Sequence, residues 1–276
     1  MKYAVYSDGR RIDDAFLLGK FLTEDIGVFE TLRVYSGKIF RLEEHLRRLE
    51  ESARTAGFST LPARSRLRKE LGRAIALSGQ TNAFIRLTLI QDKVLIFIGQ
   101  RSHRESLYQK GVCLQTTAVR RSLSHSTFPE AKTTAYQNGI FASLEIRPER
   151  IDEWVFLDRD GYVTEVRIGN LFMVRSSFKG EEMQLWTPPL TGILNGVTRR
   201  FVIECASDLG ISTREAPLTR HDIYNASEAF LTNTSWEILP VRELDGRVIG
   251  SRIPGKLTWK LHQLFKKKVE KECQTS

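Results

Sequence analysis

Lys132 stands in "FPEAKTTAYQNGIFASLEI", after a proline turn and ahead of an apolar helical pattern. A lysine amine held in a cleft there can form a Schiff base with a carbonyl. Taken alone, a lysine at a helix start is more commonly a surface residue. Glu165, in "GYVTEVRIGNLFMV", has apolar neighbours on both sides. It is either a hairpin-edge charge or a buried carboxylate that needs a partner such as a protonated ring nitrogen, because an unpaired buried charge is costly. In "TGILNGVTRR", Gly192 and Gly196 precede a helix that begins at Val197 and Thr198. Free backbone N–H groups and the positive end of the helix dipole suit such a start to phosphate, and an ordinary capped helix explains it equally. The turn "NTSWE" offers the Thr234 and Ser235 hydroxyls and several backbone donors, which common turn chemistry also accounts for.

These groups need elements to carry them. "VFETLRVYSGKIF" reads as a hairpin turning at Ser36-Gly37. Leu42, Leu46, Leu49, Ala53 and Ala56 recur at spacings of four and three, on one face of a helix that Gly57 can end. A second helix is expected over 64–78, and "AFIRLTLIQDKVLIFIG" is a hairpin turning near Gln91-Asp92-Lys93. Strands and helices without βαβ alternation favour an α+β domain over residues 1–114. Residues 115–128 lose the apolar periodicity and read as an interdomain linker. Residues 129–276 form the second domain: a helix through "IFASLEI", two strands turning at Asp160-Gly161, the strand "NLFMV", and the helix entered through Asn195-Gly196. Another strand pair in "EAFLTNTSWEILPV" and a basic closing helix complete it.

Apolar residues make up 41% of the 276 and charged residues 27%, an ordinary globular balance. The formal charge is +9, but the densest Lys and Arg clusters alternate with Glu, as on a solvated helix face. Together with the lack of a nucleic-acid signature, this argues against nucleic acid as the main partner. No window approaches a membrane span and the N-terminus has no secretory pattern, so the expected location is the cytoplasm. Three widely spaced cysteines, Cys113, Cys205 and Cys273, read as reduced thiols rather than disulfides or a zinc site.

The order of lysine, carboxylate, glycine-flanked helix start and hydroxyl turn resembles the fold-type IV, class IV aminotransferase family of pyridoxal-phosphate enzymes. The match runs from "GVFETLRVYSGKIFRLEEHLRRLEESA" to "EAFLTNTSWEILPVRELDG". The resemblance implies two domains of α+β or α/β type with the cofactor, pyridoxal 5′-phosphate, in the interdomain cleft, and a homodimer. It implies that Lys132 is joined to the cofactor and moves a proton between Cα and C4′, and that Glu165 pairs with the pyridinium nitrogen. Arg48, the last Arg of "HLRRL", would hold the phosphate with Val197, Thr198 and Thr234. Tyr136 falls beside the cofactor ring, and Asn170 matches an asparagine five residues beyond the glutamate.

The family contains branched-chain L-amino-acid transaminases, D-amino-acid transaminases and aminodeoxychorismate lyases. Small-molecule amino acids and 2-oxo acids are the expected partners, D-amino acids slightly ahead of branched-chain L-amino acids; a lyase releasing pyruvate is the alternative. Typical D-specific members use an Arg-x-His pair in the second hairpin, where this chain has Arg86 and Thr88. The tyrosine of "VYE" members is Phe29 here. Arg167 stands where the family usually has a small residue and is expected in the cleft as a carboxylate ligand, on Glu165's face of a regular strand. The expected substrate-binding residues are therefore Arg167, Phe29, Arg86 and Ser235.

Overall fold

The computed structural model describes residues 3–7, 9–12, 27–90, 93–100, 103, 105–121, 128–135, 137–145, 151–176 and 183–274. In chain order the elements are β1 (Tyr3–Ser7), β2 (Arg10–Arg11), β3 (Val28–Tyr35), β4 (Lys38–Ile39), α1 (Leu42–Thr55), α2 (Arg64–Ser78), β5 (Ala83–Ile90) and β6 (Lys93–Gly99). There follow α3 (Glu105–Lys110), β7 (Val112–Arg120), α4 (Gln137–Glu145), β8 (Glu153–Leu157), β9 (Val163–Val166), β10 (Asn170–Ser176) and β11 (Met183–Thr187). The chain ends with α5 (Val197–Asp208), β12 (Thr213–Glu215), α6 (Arg220–Tyr224), β13 (Glu228–Asn233), β14 (Glu237–Leu244), β15 (Arg247–Val248) and α7 (Lys256–Gln274).

Two compact units result. The first holds residues 1–102, 131–135 and 268–276; the second holds 103–130 and 136–267. This division differs from the expected single switch within 115–128. The segment around Lys132 groups with the first unit, and β7, expected as the start of a linker, is a strand of the second. β7 lies parallel to β14 on one side and β8 on the other. Its polar stretch hid it: Thr116 bonds Asp245 through both its N–H and its hydroxyl, and Thr117 Oγ1 donates to Glu145. Threonines satisfied by partners more than twenty residues away leave no apolar period to read.

In the first unit the described strands form a sheet ordered β2-β1-β6-β5-β3-β4. Ser36 and Gly37 both have positive φ (50° and 83°), the mirror-image turn whose twist suits a two-residue hairpin. β3 alternates strictly, so Val28, Glu30, Leu32 and Val34 face inward while Phe29 and Thr31 face the other way. The inward row packs with Ile85 and Leu87 of β5 against Leu46, Leu49 and Ala53 of α1 and Leu67 and Leu71 of α2. Each such large apolar side chain contributes about 1.5–3 kcal/mol when fully buried. Glu30 is the one acid in that row.

In the second unit the described strands run β12-β11-β10-β13-β14-β7-β8-β9, with β15 on β14. Val112, Leu114, Val155, Leu171, Met173, Leu231 and Leu239 belong to its core. The expected hairpin at Asp160-Gly161 is present, and Gly161 takes the positive φ of 88° that the turn requires. No helix among the described residues is long and apolar enough to cross a membrane.

Candidate functional site

Residues 131–135 lie along the edge of β3. The Phe29 N–H donates to the Lys132 carbonyl at 2.9 Å, and the Thr134 N–H to the Gly27 carbonyl at 2.7 Å. Gly27 is needed for this approach, because a Cβ there would come within 2.8 Å of the Leu89 carbonyl and 3.2 Å of Thr134. From the other side the Lys132 N–H donates to Ser52 Oγ of α1 at 3.0 Å. The lysine backbone is thus tied to a strand and a helix. Its Nζ lies 4.6 Å from the centroid of the Phe29 ring, and the Arg86 guanidinium lies 3.8 Å from the same centroid. Burial holds the Arg86 pKa below its usual value, and no carboxylate pairs with it among the described residues. An amine and a half-buried guanidinium sharing one aromatic ring form a ready site for a small anion with a carbonyl nearby.

Beneath that strand, α1 presents His45, Arg48 and Ser52, spaced three and four apart and therefore on one face. Arg48 donates to Glu30 through Nε and Nη2, both at 2.7 Å, and His45 Nδ1 lies 2.7 Å from Glu30 Oε2. All three are buried, Glu30 completely. Burial by itself would raise the Glu30 carboxyl; the charges and bonds of Arg48 and His45 outweigh it and hold the acid well below the usual carboxylate range. Burial lowers the His45 pKa against the pull of Glu30, with Arg48 and Lys132 adding to the effect. An ionised carboxylate only accepts, so the His45 Nδ1 carries the proton of that bond.

In the second unit Glu165 is 5% exposed on β9. Its Oε1 pairs with Arg121, and its Oε2 accepts the Leu194 N–H at 3.3 Å. Asn170 takes the other side of the same residue, Nδ2 donating to the Leu194 carbonyl at 3.0 Å. These two side chains fix the turn that leads into α5. That helix begins at Gly196 with no side-chain cap, and Val197 and Thr198 are buried at its first positions. A Cβ on Gly196 would come within 2.2 Å of Asn170 Oδ1, so the glycine is required. In the β13–β14 turn Asn233 Oδ1 accepts the N–H groups of Ser235 (2.8 Å) and Trp236 (2.7 Å), while its Nδ2 donates to Ile168. Thr234 lies within this pinned turn.

The first unit thus gathers Lys132, Arg48, Phe29 and Arg86, and the second gathers Glu165, Asn170, Val197, Thr198, Thr234 and Ser235. Tyr136 lies outside the described residues. Arg167 has a different setting from the one expected. β9 ends at Val166, whose N–H turns to the Gly169 carbonyl, while the Arg167 N–H donates to the Trp154 carbonyl of β8 at 3.1 Å. The Arg167 Nε donates to Glu153 at 3.2 Å and its guanidinium lies 4.8 Å from the Trp154 ring centroid. Burial pushes the Glu153 carboxyl up to about 7, and Arg167 opposes that only in part. Sequence reasoning missed Glu30, His45, Arg121 and His103. The spacing of His45, Arg48 and Ser52 and the acid in an apolar strand row were readable signals for the first two; nothing local marks Arg121 or His103.

The family model for amino-transferase class IV matches residues 27–244. The chain is 32% identical to an aminodeoxychorismate lyase of Bacillus subtilis over 94% of its length and 88% of the relative's. It is 30% identical to a branched-chain-amino-acid aminotransferase of Pseudomonas aeruginosa, covering 87% of this chain and 83% of that one. Among solved structures, the branched-chain aminotransferase of the thermophilic archaeon Thermoproteus uzoniensis, determined with norvaline, superposes with a TM-score of 0.83 at 31% identity, covering 96% of this chain and 94% of that one.

Proposed function

The chain belongs to the class IV aminotransferase family, and from that premise we propose that it is a pyridoxal-phosphate transaminase moving an amino group between a branched-chain L-amino acid and a 2-oxo acid. The observation that carries this is the pairing of the Lys132 amine and the Arg86 guanidinium on the Phe29 ring, at 4.6 and 3.8 Å. The amino acid and the 2-oxo acid both present a carboxylate for the guanidinium, and the Cα whose proton the lysine amine would move lies one bond from that carboxylate. Arg86 is the better carboxylate ligand, since Arg167 is engaged by Glu153. The substrate preference moves from D- to branched-chain L-amino acids for two reasons. Thr88, where the D-specific histidine would fall, is wholly buried and brings no imidazole, and the Pseudomonas and Thermoproteus proteins are named for branched-chain substrates.

The residues present suit the cofactor. Arg48, the uncapped helix start at Val197 and Thr198, and Thr234 would hold the phosphate. Glu165, ion-paired with Arg121, would keep a proton on the ring nitrogen, with Asn170 fixing the adjoining turn. When bound, pyridoxal phosphate supplies an electron sink for the pair left as Cα loses its proton. Lys132 is the group that takes that proton, its backbone anchored to Phe29 and Ser52 so that only the side chain needs to move. We place the enzyme in the cytoplasm, a reading that fits Cys113, Cys205 and Cys273, all buried and with no disulfide among them. We assign it a homodimer, supported by the exposed apolar chains Ile140, Phe141 and Leu144 on α4, at 61, 56 and 79%.

The test is a half-reaction: the pyridoxal form is mixed with single amino acids and its visible absorbance followed. Conversion by L-leucine is expected, and conversion by D-alanine alone would refute the branched-chain reading. Cofactor binding without conversion by any amino acid would favour the lyase, which the B. subtilis relative makes the second reading.

A further inference from the structure

Ser235 is buried, 6% exposed, in the turn that also carries Thr234. Its N–H is spent on Asn233 Oδ1, which leaves the hydroxyl as the donor this residue can offer a ligand. That hydroxyl lies 2.8 Å from Nε2 of His103, a residue 132 positions earlier in the chain. The imidazole sits edge-on to Trp236, ring centroids 6.4 Å apart at 70°. Tyr108 of α3 donates to the Trp236 carbonyl at 3.1 Å, so His103 and Tyr108 hold the turn at two points. Asn233 Nδ2 ties the same turn to Ile168, three residues beyond Glu165. The network fixes both members of the His103–Ser235 pair.

A serine hydroxyl has one proton and two lone pairs. If Nε2 accepted from Ser235, the proton would point at the ring and Oγ would offer only lone pairs, which repel an anion. With the proton on Nε2, the imidazole donates to Oγ and the hydroxyl proton is turned outward. We propose that His103 is a positioning residue that carries this proton and so makes the Ser235 hydroxyl a hydrogen-bond donor to the substrate carboxylate. The amino-acid donor and the 2-oxo acid acceptor both bear that carboxylate, so His103 serves both halves of the reaction. The proposal rests on the transaminase reading above.

The experiment compares His103→Ala, His103→Gln, Ser235→Ala and the double alanine variant as holoenzymes. It measures kcat and KM for the amino acid that the wild type converts best, and the cofactor dissociation constant by absorbance. Losing a bond to a charged group raises KM about tenfold or more in His103→Ala and in Ser235→Ala. The double variant is no worse than Ser235→Ala, cofactor affinity stays as in the wild type, and His103→Gln, which keeps an N–H donor, recovers most of the loss. Binding of 4-methylvaleric acid, a carboxylate with no amine to transfer, weakens in parallel. Additive losses, an unchanged KM in His103→Ala, or a loss of cofactor affinity matching the loss in KM would each overturn the assignment. A wild type that binds cofactor but is converted by no amino acid ends the transaminase reading and this proposal with it; a converted wild type with an unaffected His103→Ala overturns the His103 role alone.

Discussion

Replacing Glu30 with Gln removes one charge and almost no volume from a site where the cost can be worked out. The carboxylate accepts three bonds of 2.7 Å, two from Arg48 and one from His45, with the acid completely buried and Arg48 6% exposed. A glutamine oxygen can keep at most two of them, those that Oε2 accepts from Arg48 Nη2 and His45 Nδ1. Its NH2 group then faces the Arg48 Nε–H, another donor. Removing one partner of a buried pair costs about 3–5 kcal/mol, because the other charge stays behind without compensation. At about 2–3 °C per kcal/mol for a chain of this size, the thermal midpoint at pH 7 falls by roughly 6–15 °C. The pH dependence gives a second check. The folded carboxyl is held well below its ordinary 4.5, so its contribution is fully present above 4.5 and is lost as the pH falls toward the folded value. The gap between wild type and Glu30→Gln in thermal melts should therefore be constant near neutrality and close on acidification below 4.5. A midpoint within about 2 °C of the wild type at pH 7, or a gap that widens in acid, would refute the reasoning.

Glu153 behaves in the opposite sense: its folded carboxyl is raised to about 7, so the wild type loses stability as the pH climbs from 4.5 to 7 and levels off above. Glu153→Gln lacks that loss and should gain on the wild type by roughly 3 kcal/mol across this window in urea unfolding; parallel pH curves would contradict it. Gly196→Ala sets a Cβ against Asn170 Oδ1 and should cost about 1–3 kcal/mol, read by denaturant melts, together with weaker cofactor binding. Phe141→Glu places a charge on the exposed face of α4 and should convert the proposed dimer to a monomer in light scattering, an outcome that an unchanged mass would exclude.

Much of this protein could be read from short-range pattern. Leu42, Leu46 and Leu49 announce α1 because an apolar stripe at 3.6-residue spacing has one stable arrangement, and Ser36-Gly37 announces its hairpin because few residues tolerate two positive φ values in succession. Lys132, Glu165 and the α5 start were singled out from quotable motifs, and Arg48 from the family resemblance; their roles at the cofactor stand as proposals. What those groups touch was not legible. Arg121 pairs with Glu165 across 44 residues and His103 with Ser235 across 132, and no periodicity encodes which distant segments a sheet brings together. β7 from residue 115 onward was read as linker because its threonines find their partners only in the folded sheet, and Arg167 was read into the cleft because only the folded chain shows it held by Glu153. Local sequence determined the elements and the chemical groups; the pairing of remote strands, which depends on burying both their faces at once, decided which groups meet.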